Sequence, residues 1–434
     1  MGRLVPRNFK NQGRRDGDDP RTRPLQTIAY CGLRYIFRSK TQFTDPNQWH
    51  GFTWRPPAAH ERARLRPSHS MHRMPIHRAN IGPNSLVAGT RMKLLITGGS
   101  GFIGSALILD LLENSPHEVV NIDCLTYAVC PLSLDAAAGH PRYAFEAIDI
   151  RDRPAVARAL DRHRPDRIVH LAAESHVDRS IADSDAFIQT NVVGTHHLLE
   201  AARDYYETLH GAARDAFRFH HVSTDEVYGS ADAGGRFTEH TPLSPNSPYA
   251  ASKAAADDLV RVWHGTYGLP TLTTASTNNY GPRQHPEKLI PRIIIDALAG
   301  RPIALYGDGR HVRDWMHVED HVRALRRVTE HGRVGERYNI GALAPKTNLE
   351  IATLVCDALD TLVPNRGLGS YSGLITFVAD RKNHDRRYAL DPSRIMRELD
   401  WHPERGLEDG IRDTVQWYLN NARWINDALG LAGA

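Results

Sequence analysis

A doubly wound parallel α/β sheet with a smaller C-terminal domain is the fold class this sequence predicts, on three observations. Short apolar strands alternate with stretches of helical periodicity from Lys93 onward. A glycine-rich turn, Gly98-Gly-Ser-Gly-Phe-Ile-Gly104, joins the first of these strands directly to a helix. An acid, Asp123, ends the next strand, 19 residues beyond Gly104. Together they describe a Rossmann-type dinucleotide-binding sheet. The expected division is 92–278 for that sheet and its catalytic residues and 279–434 mainly for a substrate domain. Some later segments return to the sheet.

Lys93–Thr97 reads as a short buried strand. Glycines at 98, 101 and 104 allow a tight turn, close backbone approach to a pyrophosphate, and close packing of helix on strand. The helix that follows stacks Ile103, Leu107 and Leu111 at spacing four, so its N-terminal amides and dipole can face phosphate. Val119–Asp123 is the next strand, and a carboxylate at its end accepts hydrogen bonds from both ribose hydroxyls and repels a 2′-phosphate. NAD is therefore expected rather than NADP. Two further strands are expected to end at Asp149-Ile150 and at Leu171-Ala172-Ala173. Phe219–Ser223 is another, and it delivers Thr224, Asp225 and Glu226 to the carboxyl edge of the sheet, where this architecture puts ligands.

A helix beginning at Pro248 carries Tyr249 and Lys253 four residues apart on one face. The ammonium is expected to lower the phenol's pKa, so that Tyr249 can take a proton from a hydroxyl. Asp225 and Glu226 form a carboxylic acid pair beside the Thr224 hydroxyl, and such a pair can divide acid and base work. Beyond Asn278-Asn-Tyr-Gly-Pro282 the pattern shifts to Pro-rich loops and shorter elements. Ile411, Val415 and Tyr418, at helical spacing, read as core packing. His176 has no visible metal partners at ligand spacing and reads as pocket lining; no metal is expected.

Composition bounds the function. Hydrophobic residues make up 41% and charged residues 24%, values of a folded globular chain. No apolar run is long enough for a membrane-spanning helix. The four cysteines, Cys31, Cys124, Cys130 and Cys356, fit neither a disulfide framework nor a paired zinc motif, so a reducing, cytoplasmic setting is expected. The net charge of +4 conceals an asymmetry: residues 1–91 hold 17 Lys+Arg against 5 Asp+Glu, which leaves the remainder at −8. This basic, Pro-rich stretch lacks periodicity and the apolar core of a secretory signal. It reads as a disordered extension, or as upstream sequence before a true start at Met92; charge alone also allows a nucleic-acid-binding arm. The acidic remainder argues against nucleic acid as a partner.

From Met92 to about Trp424 the chain resembles the dTDP-glucose 4,6-dehydratases, which are extended short-chain dehydrogenases/reductases. The resemblance rests on Gly-Gly-Ser-Gly-Phe-Ile-Gly-Ser (98–105), Ala-Ala-Glu-Ser-His-Val-Asp-Arg-Ser (172–180), Asn-Val-Val-Gly-Thr (191–195) and Ser-Thr-Asp-Glu-Val-Tyr-Gly (223–229). It extends through Pro-Glu-Lys-Leu-Ile-Pro (286–291), Arg-Asp-Trp (313–315) and His-Asp-Arg-Arg-Tyr (384–388). It implies oxidation at the sugar C4 by Tyr249 and Lys253 with NAD, then loss of water across C5 and C6 through Glu226 and Asp225, with Thr224 on the C4 oxygen. It also implies a cofactor set of Gly98, Gly101, Phe102, Ile103, Gly104, Asp123, Thr126, Asp149, Ile150, Leu171, Ala172, Ala173, Thr190, Tyr249, Lys253 and Asn279. Ser175 and Thr224 would contact the sugar, while Asn278, Lys288, Leu289, Arg313, Asn339, Arg381 and His384 would hold the nucleotide diphosphate. Helices near 185–208 and 249–266 would pair in a homodimer.

The chain departs from the family at Cys124, Val129, Cys130, Arg283-Gln284-His285, Ala304 and Lys382-Asn383. These positions cluster around nucleotide recognition and leave a UDP- or other NDP-hexose open beside dTDP-glucose. A decarboxylase or epimerase of the same superfamily is a second reading. A non-catalytic NAD sensor is a third, disfavoured because a sensor needs none of Asp225, Glu226, Tyr249 and Lys253.

Overall fold

The computed structural model describes residues 91–364 and 369–431. Apart from Arg91, which pairs with Glu118 at 2.7 Å, the basic extension lies outside the described residues. Seven parallel strands form the central sheet: β1 (Lys93–Thr97), β2 (Glu118–Asp123), β3 (Tyr143–Ala147), β4 (Arg167–His170), β5 (Arg218–Thr224), β6 (Thr271–Ser276) and β10 (Arg337–Ile340). Their spatial order is β10-β6-β5-β4-β1-β2-β3. The order reverses between β1 and β4, which opens a crevice at the carboxyl ends of these two strands.

The period of two along each strand makes this a two-faced layer. In β1, Leu94 and Ile96 point to one face and meet Leu107, Ile108 and Leu111 of the first helix (Phe102–Asn114), with Val322, Leu325 and Val328 of the helix Val318–His331. Leu95 points to the other face, among Val156, Leu160, Leu198, Leu199, Val260 and Trp263. Each fully buried Leu or Ile stabilises the fold by about 1.5–3 kcal/mol. Ile411, Val415 and Tyr418 of the helix Leu407–Asn420 are also fully buried.

Two strands stop earlier than the sequence suggests. β3 ends at Ala147 rather than at Asp149-Ile150, and β4 ends at His170 rather than at Ala173. The second change has a local cause: the Leu171 amide shares its last bond to the Thr97 carbonyl, at 3.1 Å, with the Thr97 hydroxyl at 3.2 Å, and the Ala172 amide donates to that hydroxyl at 3.1 Å.

Two small sheets complete the structure. β9 (Val312–His317) lies between β7 (Asn278–Tyr280), parallel, and β11 (Pro345–Thr347), antiparallel, while β8 (Ile303–Tyr306) pairs in parallel with β12 (Ile375–Val378). Among the described residues no helix is long and apolar enough to cross a membrane.

Candidate active site

The glycine turn is shaped by close approach. Gly98 has a φ of +70°, and a Cβ there would lie 2.6 Å from the Ala172 backbone. A Cβ on Gly104 would overlap the Gly98 carbonyl oxygen, whereas one on Gly101 would meet that oxygen at 3.4 Å. No side chain caps the first helix, so the amides behind Gly101, near Phe102 and Ile103, keep their capacity for an anion. Asp123 is buried at the end of β2, where it accepts from the Ser100 amide at 3.0 Å and the Leu125 amide at 2.8 Å. Burial raises its pKa against these two hydrogen bonds.

These residues fit a dinucleotide. The cradle is one that any side chain at 98 or 104 would fill, and the Asn279 Oδ1 is buried without a partner in the structure. Leu171 and Ala172 face the turn, Ala173 is exposed, and Ile150 packs under Gly194. Thr190 sits half-buried in the wide turn Ile188–Gly194. Thr126 is exposed, and both Asp149 oxygens are engaged by Arg151.

Strand β5 and the helix Pro248–Tyr267 bring the reactive groups together. The helix is fixed in place by Pro at its start and by the Ser247 hydroxyl, which accepts from the Ala250 amide at 3.1 Å. Tyr249 is almost wholly buried and hydrogen-bonds Thr224. Thr224 donates to Asp225 at 3.3 Å and accepts from the Glu226 amide at 3.4 Å. Burial, then the Glu226 carboxylate, pushes Asp225 up to about 8, so it is mainly protonated at neutral pH. Glu226 is also raised by burial, but Arg313, Arg381 and Lys288 pull against that rise.

Lys253 departs from expectation. Its ammonium donates to the Val222 carbonyl at 2.9 Å and lies 3.4 Å from the His221 ring. Burial lowers its pKa to about 8, opposed by Asp257. The Tyr249 phenol is raised, first by burial and then by Glu226, against the hydrogen bond it shares with Thr224. The lowered phenol expected from the Tyr–Lys spacing is thus absent here, because Lys253 faces the strand rather than the ring.

Glu226 opens onto a pocket walled by Val177, Ser247, Arg381, His384, Asp385 and Tyr388. Arg313 reaches it from β9, donating to the Asp385 carbonyl at 2.9 Å and stacking over the Tyr388 ring at 4.0 Å. Arg381 is held bidentate by Asp178 at 2.6 and 2.9 Å. Lys288 donates to the carbonyl of exposed Ser175 at 3.0 Å, and Leu289 begins the next helix beside it. The Asn278 Oδ1 is buried without a partner in the structure.

Asn339 lies deeper than the other nucleotide-site candidates. It is fully buried on β10, with its oxygen accepting from Tyr228 at 2.9 Å and its amide donating to the Phe237 carbonyl at 3.0 Å. In this structure its carboxamide is held by Tyr228 and Phe237. Sequence reasoning also missed Asp385 and Tyr388 as pocket walls and Asp178 as the partner of Arg381. Asp385 and Tyr388 lay inside a recognised stretch, whereas Asp178 is paired with Arg381 only by the fold.

A parallel sheet with a glycine cradle at its switch point, Tyr and Lys on one helix, and a buried hydroxyl beside two carboxylates defines a short-chain dehydrogenase/reductase built for dehydration. The comparisons agree. The family model for GDP-mannose 4,6 dehydratase matches residues 95–414. The dTDP-glucose 4,6-dehydratase of Neisseria meningitidis serogroup B is 53% identical over 342 residues, covering 78% of this chain and 96% of that enzyme. The dTDP-glucose 4,6-dehydratase 1 of Escherichia coli K12 is 51% identical over 345 residues, 77% of this chain and 95% of that enzyme. The crystal structure of DesIV from Streptomyces venezuelae, a dTDP-glucose 4,6-dehydratase with NAD and a thymidine nucleotide bound, superposes with a TM-score of 0.71 at 45% identity, covering 78% of this chain and all of that one. The Thermus thermophilus UDP-glucose 4-epimerase matches less well, at 30% identity and a TM-score of 0.66, covering 76% of this chain and all of that one. The chain belongs to the dTDP-glucose 4,6-dehydratase family.

Proposed function

We propose that this chain is a hydro-lyase that converts dTDP-glucose to dTDP-4-keto-6-deoxyglucose with NAD. One observation carries the reading: Asp225 and Glu226 stand at the end of β5 in contact with the Thr224–Tyr249 pair, and an epimerase needs no such pair of carboxylates. When bound, NAD supplies a reversible two-electron acceptor, so the net reaction is loss of water. Gly98, Gly101, Gly104, Asp123 and Asn279 are the residues shaped to hold it.

The side chains then move protons. Thr224 donates to the sugar's C4 oxygen while Tyr249 takes the proton from that hydroxyl. The role of Lys253 asks its ammonium to turn from the Val222 carbonyl toward the phenol when the site is filled. A ketone at C4 acidifies the C5 proton, which Glu226 removes as its carboxylate. Asp225, protonated at neutral pH, gives its proton to the departing C6 hydroxyl, and Glu226 later returns a proton to C5. Each transfer contributes about 10²–10⁴-fold. Arg313, Arg381 and Lys288 supply the cations for the diphosphate.

Incubating purified protein with dTDP-glucose and with UDP-glucose tests the reading. A 4-keto-6-deoxy product from dTDP-glucose is expected at the higher kcat/KM; no product from either would overturn it. We further propose a homodimer through the helices Thr195–Glu207 and Pro248–Tyr267, supported by exposed Ile188, Val262 and Tyr267 on or beside them. Sedimentation at micromolar concentration reads that directly. The free thiols of Cys124, Cys130 and Cys356 support a cytoplasmic setting.

A further inference from the structure

Two chain segments meet at a cluster that joins His384 of the pocket wall to two residues the dehydration reaction does not use. His311, just before β9, places its Nε2 3.2 Å from Asp380 Oδ2, while His384 Nδ1 lies 2.7 Å from Asp380 Oδ1. The two imidazoles stack with centroids 3.8 Å apart and planes 19° apart. One ligand atom from each of the three residues lies within 4.8 Å of the other two. We propose that His311, Asp380 and His384 form a divalent-cation site suited to Zn²⁺.

The donor set is two imidazoles and one carboxylate, which suits a borderline cation such as Zn²⁺ and leaves a fourth position for water. Ligand bonds of about 2.0–2.2 Å put tetrahedral donors roughly 3.3–3.6 Å apart. The two histidine–aspartate spacings need only modest opening, with the stacked rings tilting so that both lone pairs converge. Charge is also suitable. Two neighbouring cations have other acids, Arg386 with Asp308 at 2.8 Å and Arg381 with Asp178 at 2.6 Å, while Arg313 donates to the Val312 and Asp385 carbonyls and faces the far side of His384. Asp380 forms its ion-pair contacts, among the described residues, with the two histidines. His311 is 2% exposed, and its Nδ1 has no partner.

The proton positions follow from the neighbours. Arg313 can only donate, and its Nη2 lies 3.2 Å from His384 Nε2, so that nitrogen accepts and Nδ1 carries the proton toward Asp380. His311 likewise presents Nε2–H to Asp380. A cation displaces both protons, which move to His384 Nε2 and His311 Nδ1; both rings stay neutral and no net proton is released. His384 then points an N–H at the Arg313 N–H groups, and their hydrogen bond is lost. Occupancy should therefore disturb Arg313 and weaken substrate binding, a consequence that rests on the proposed function.

The test uses the full chain in a Cys124→Ser background, which removes the exposed thiol as a competing ligand. Co²⁺ and Zn²⁺ salts alone are titrated by calorimetry and by the visible bands of tetrahedral Co²⁺. One site per chain is expected, weakened about tenfold or more in His311→Gln and in Asp380→Asn. Absence of saturable binding overturns the site, as does unchanged affinity in either variant, with circular dichroism used to verify that the variants are folded. Given a working dehydratase, Zn²⁺ should raise KM with kcat little changed, and His311→Gln should abolish that effect. If the protein proves inactive, metal binding still decides the site.

Discussion

Asp225 and Glu226 are adjacent in sequence, yet their surroundings separate them. Arg313 bears on both carboxyls, while Arg381 and Lys288 bear on Glu226. Asp225 also lies almost wholly buried beneath Thr224 and faces Glu226 and Asp314 with little cationic relief. Burial raises both carboxyls, but three cations oppose the rise at Glu226 and one at Asp225, an asymmetry that suits Asp225 to the role of acid and Glu226 to that of base.

Glu226→Gln should keep the pocket's shape and lose its base. Turnover is expected to fall about 10²–10⁴-fold. With dTDP-glucose in deuterated water, the recovered sugar nucleotide should carry no deuterium at C5, read by mass spectrometry. Dehydration at the parent rate, or full exchange at C5, would remove Glu226 from the role of base.

Asp225→Asn should remove an alkaline limb from the pH profile. The acid must be protonated, so kcat/KM of the parent is expected to decline as pH rises through about 8. Stability moves in the same sense. A carboxyl whose folded pKa is raised from 3.8 to about 8 binds more protons folded than unfolded between those values. Its contribution is therefore lost as pH climbs across that window. The amide of Asn cannot ionise, so the variant should gain in Tm relative to the parent between about pH 5 and pH 8. A constant Tm difference across that range would contradict this.

How much of this was legible beforehand depended on the range of the interaction. The glycine turn, Asp123 and the Tyr249–Lys253 face are local patterns, and the chain's periodicity is enough to place them. β10 is different: Arg337–Ile340 joins the main sheet beside β6 by pairing with residues more than sixty positions away, and no local pattern carries that register. The core fate of Asn339 follows from that insertion. His311 and His384 look unrelated in sequence and touch only because β9 and the loop after β12 converge. The orientation of Lys253 was hidden for the opposite reason. Its spacing from Tyr249 was clear, but the competing Val222 carbonyl comes from β5, some thirty residues earlier in the chain.

The glycine turn gives a graded test. Gly104→Ala forces the Gly98 carbonyl to move, whereas Gly101→Ala meets the same oxygen at 3.4 Å. Overpacking of this kind costs about 1–3 kcal/mol. Without cofactor, Gly104→Ala should lower the Tm clearly more than Gly101→Ala, and it should weaken NAD binding measured by calorimetry. Equal Tm values for the two variants would mean that the turn tolerates a side chain where the geometry says it cannot.

Asp257 lies one turn beyond Lys253 and organises the groups behind the active site. It accepts from Arg337 at 2.8 Å, Ser223 at 2.9 Å and His221 at 3.1 Å, all buried or nearly so. Burial alone would raise its pKa, but Arg337 and His221 hold it well below the ordinary value of 3.8. Its stabilisation is therefore present above that value and persists until pH falls through the depressed one. Asp257→Asn leaves the Arg337 charge enclosed without its acid, which should cost about 3–5 kcal/mol in urea unfolding at neutral pH. Because the Asp257 charge opposes the burial that brings Lys253 down to about 8, the variant's Lys253 should deprotonate at still lower pH. Any part of the alkaline decline in kcat/KM that depends on the Lys253 ammonium should shift to lower pH with it. A double variant, Asp257→Asn with Arg337→Met, should recover much of the lost stability by removing the stranded charge, but not the displaced pH profile. If the double variant were no more stable than Asp257→Asn, the stranded-charge explanation would fail. If the pH profile stayed put while stability fell, Asp257 would be a structural partner of Arg337 with no hold on Lys253.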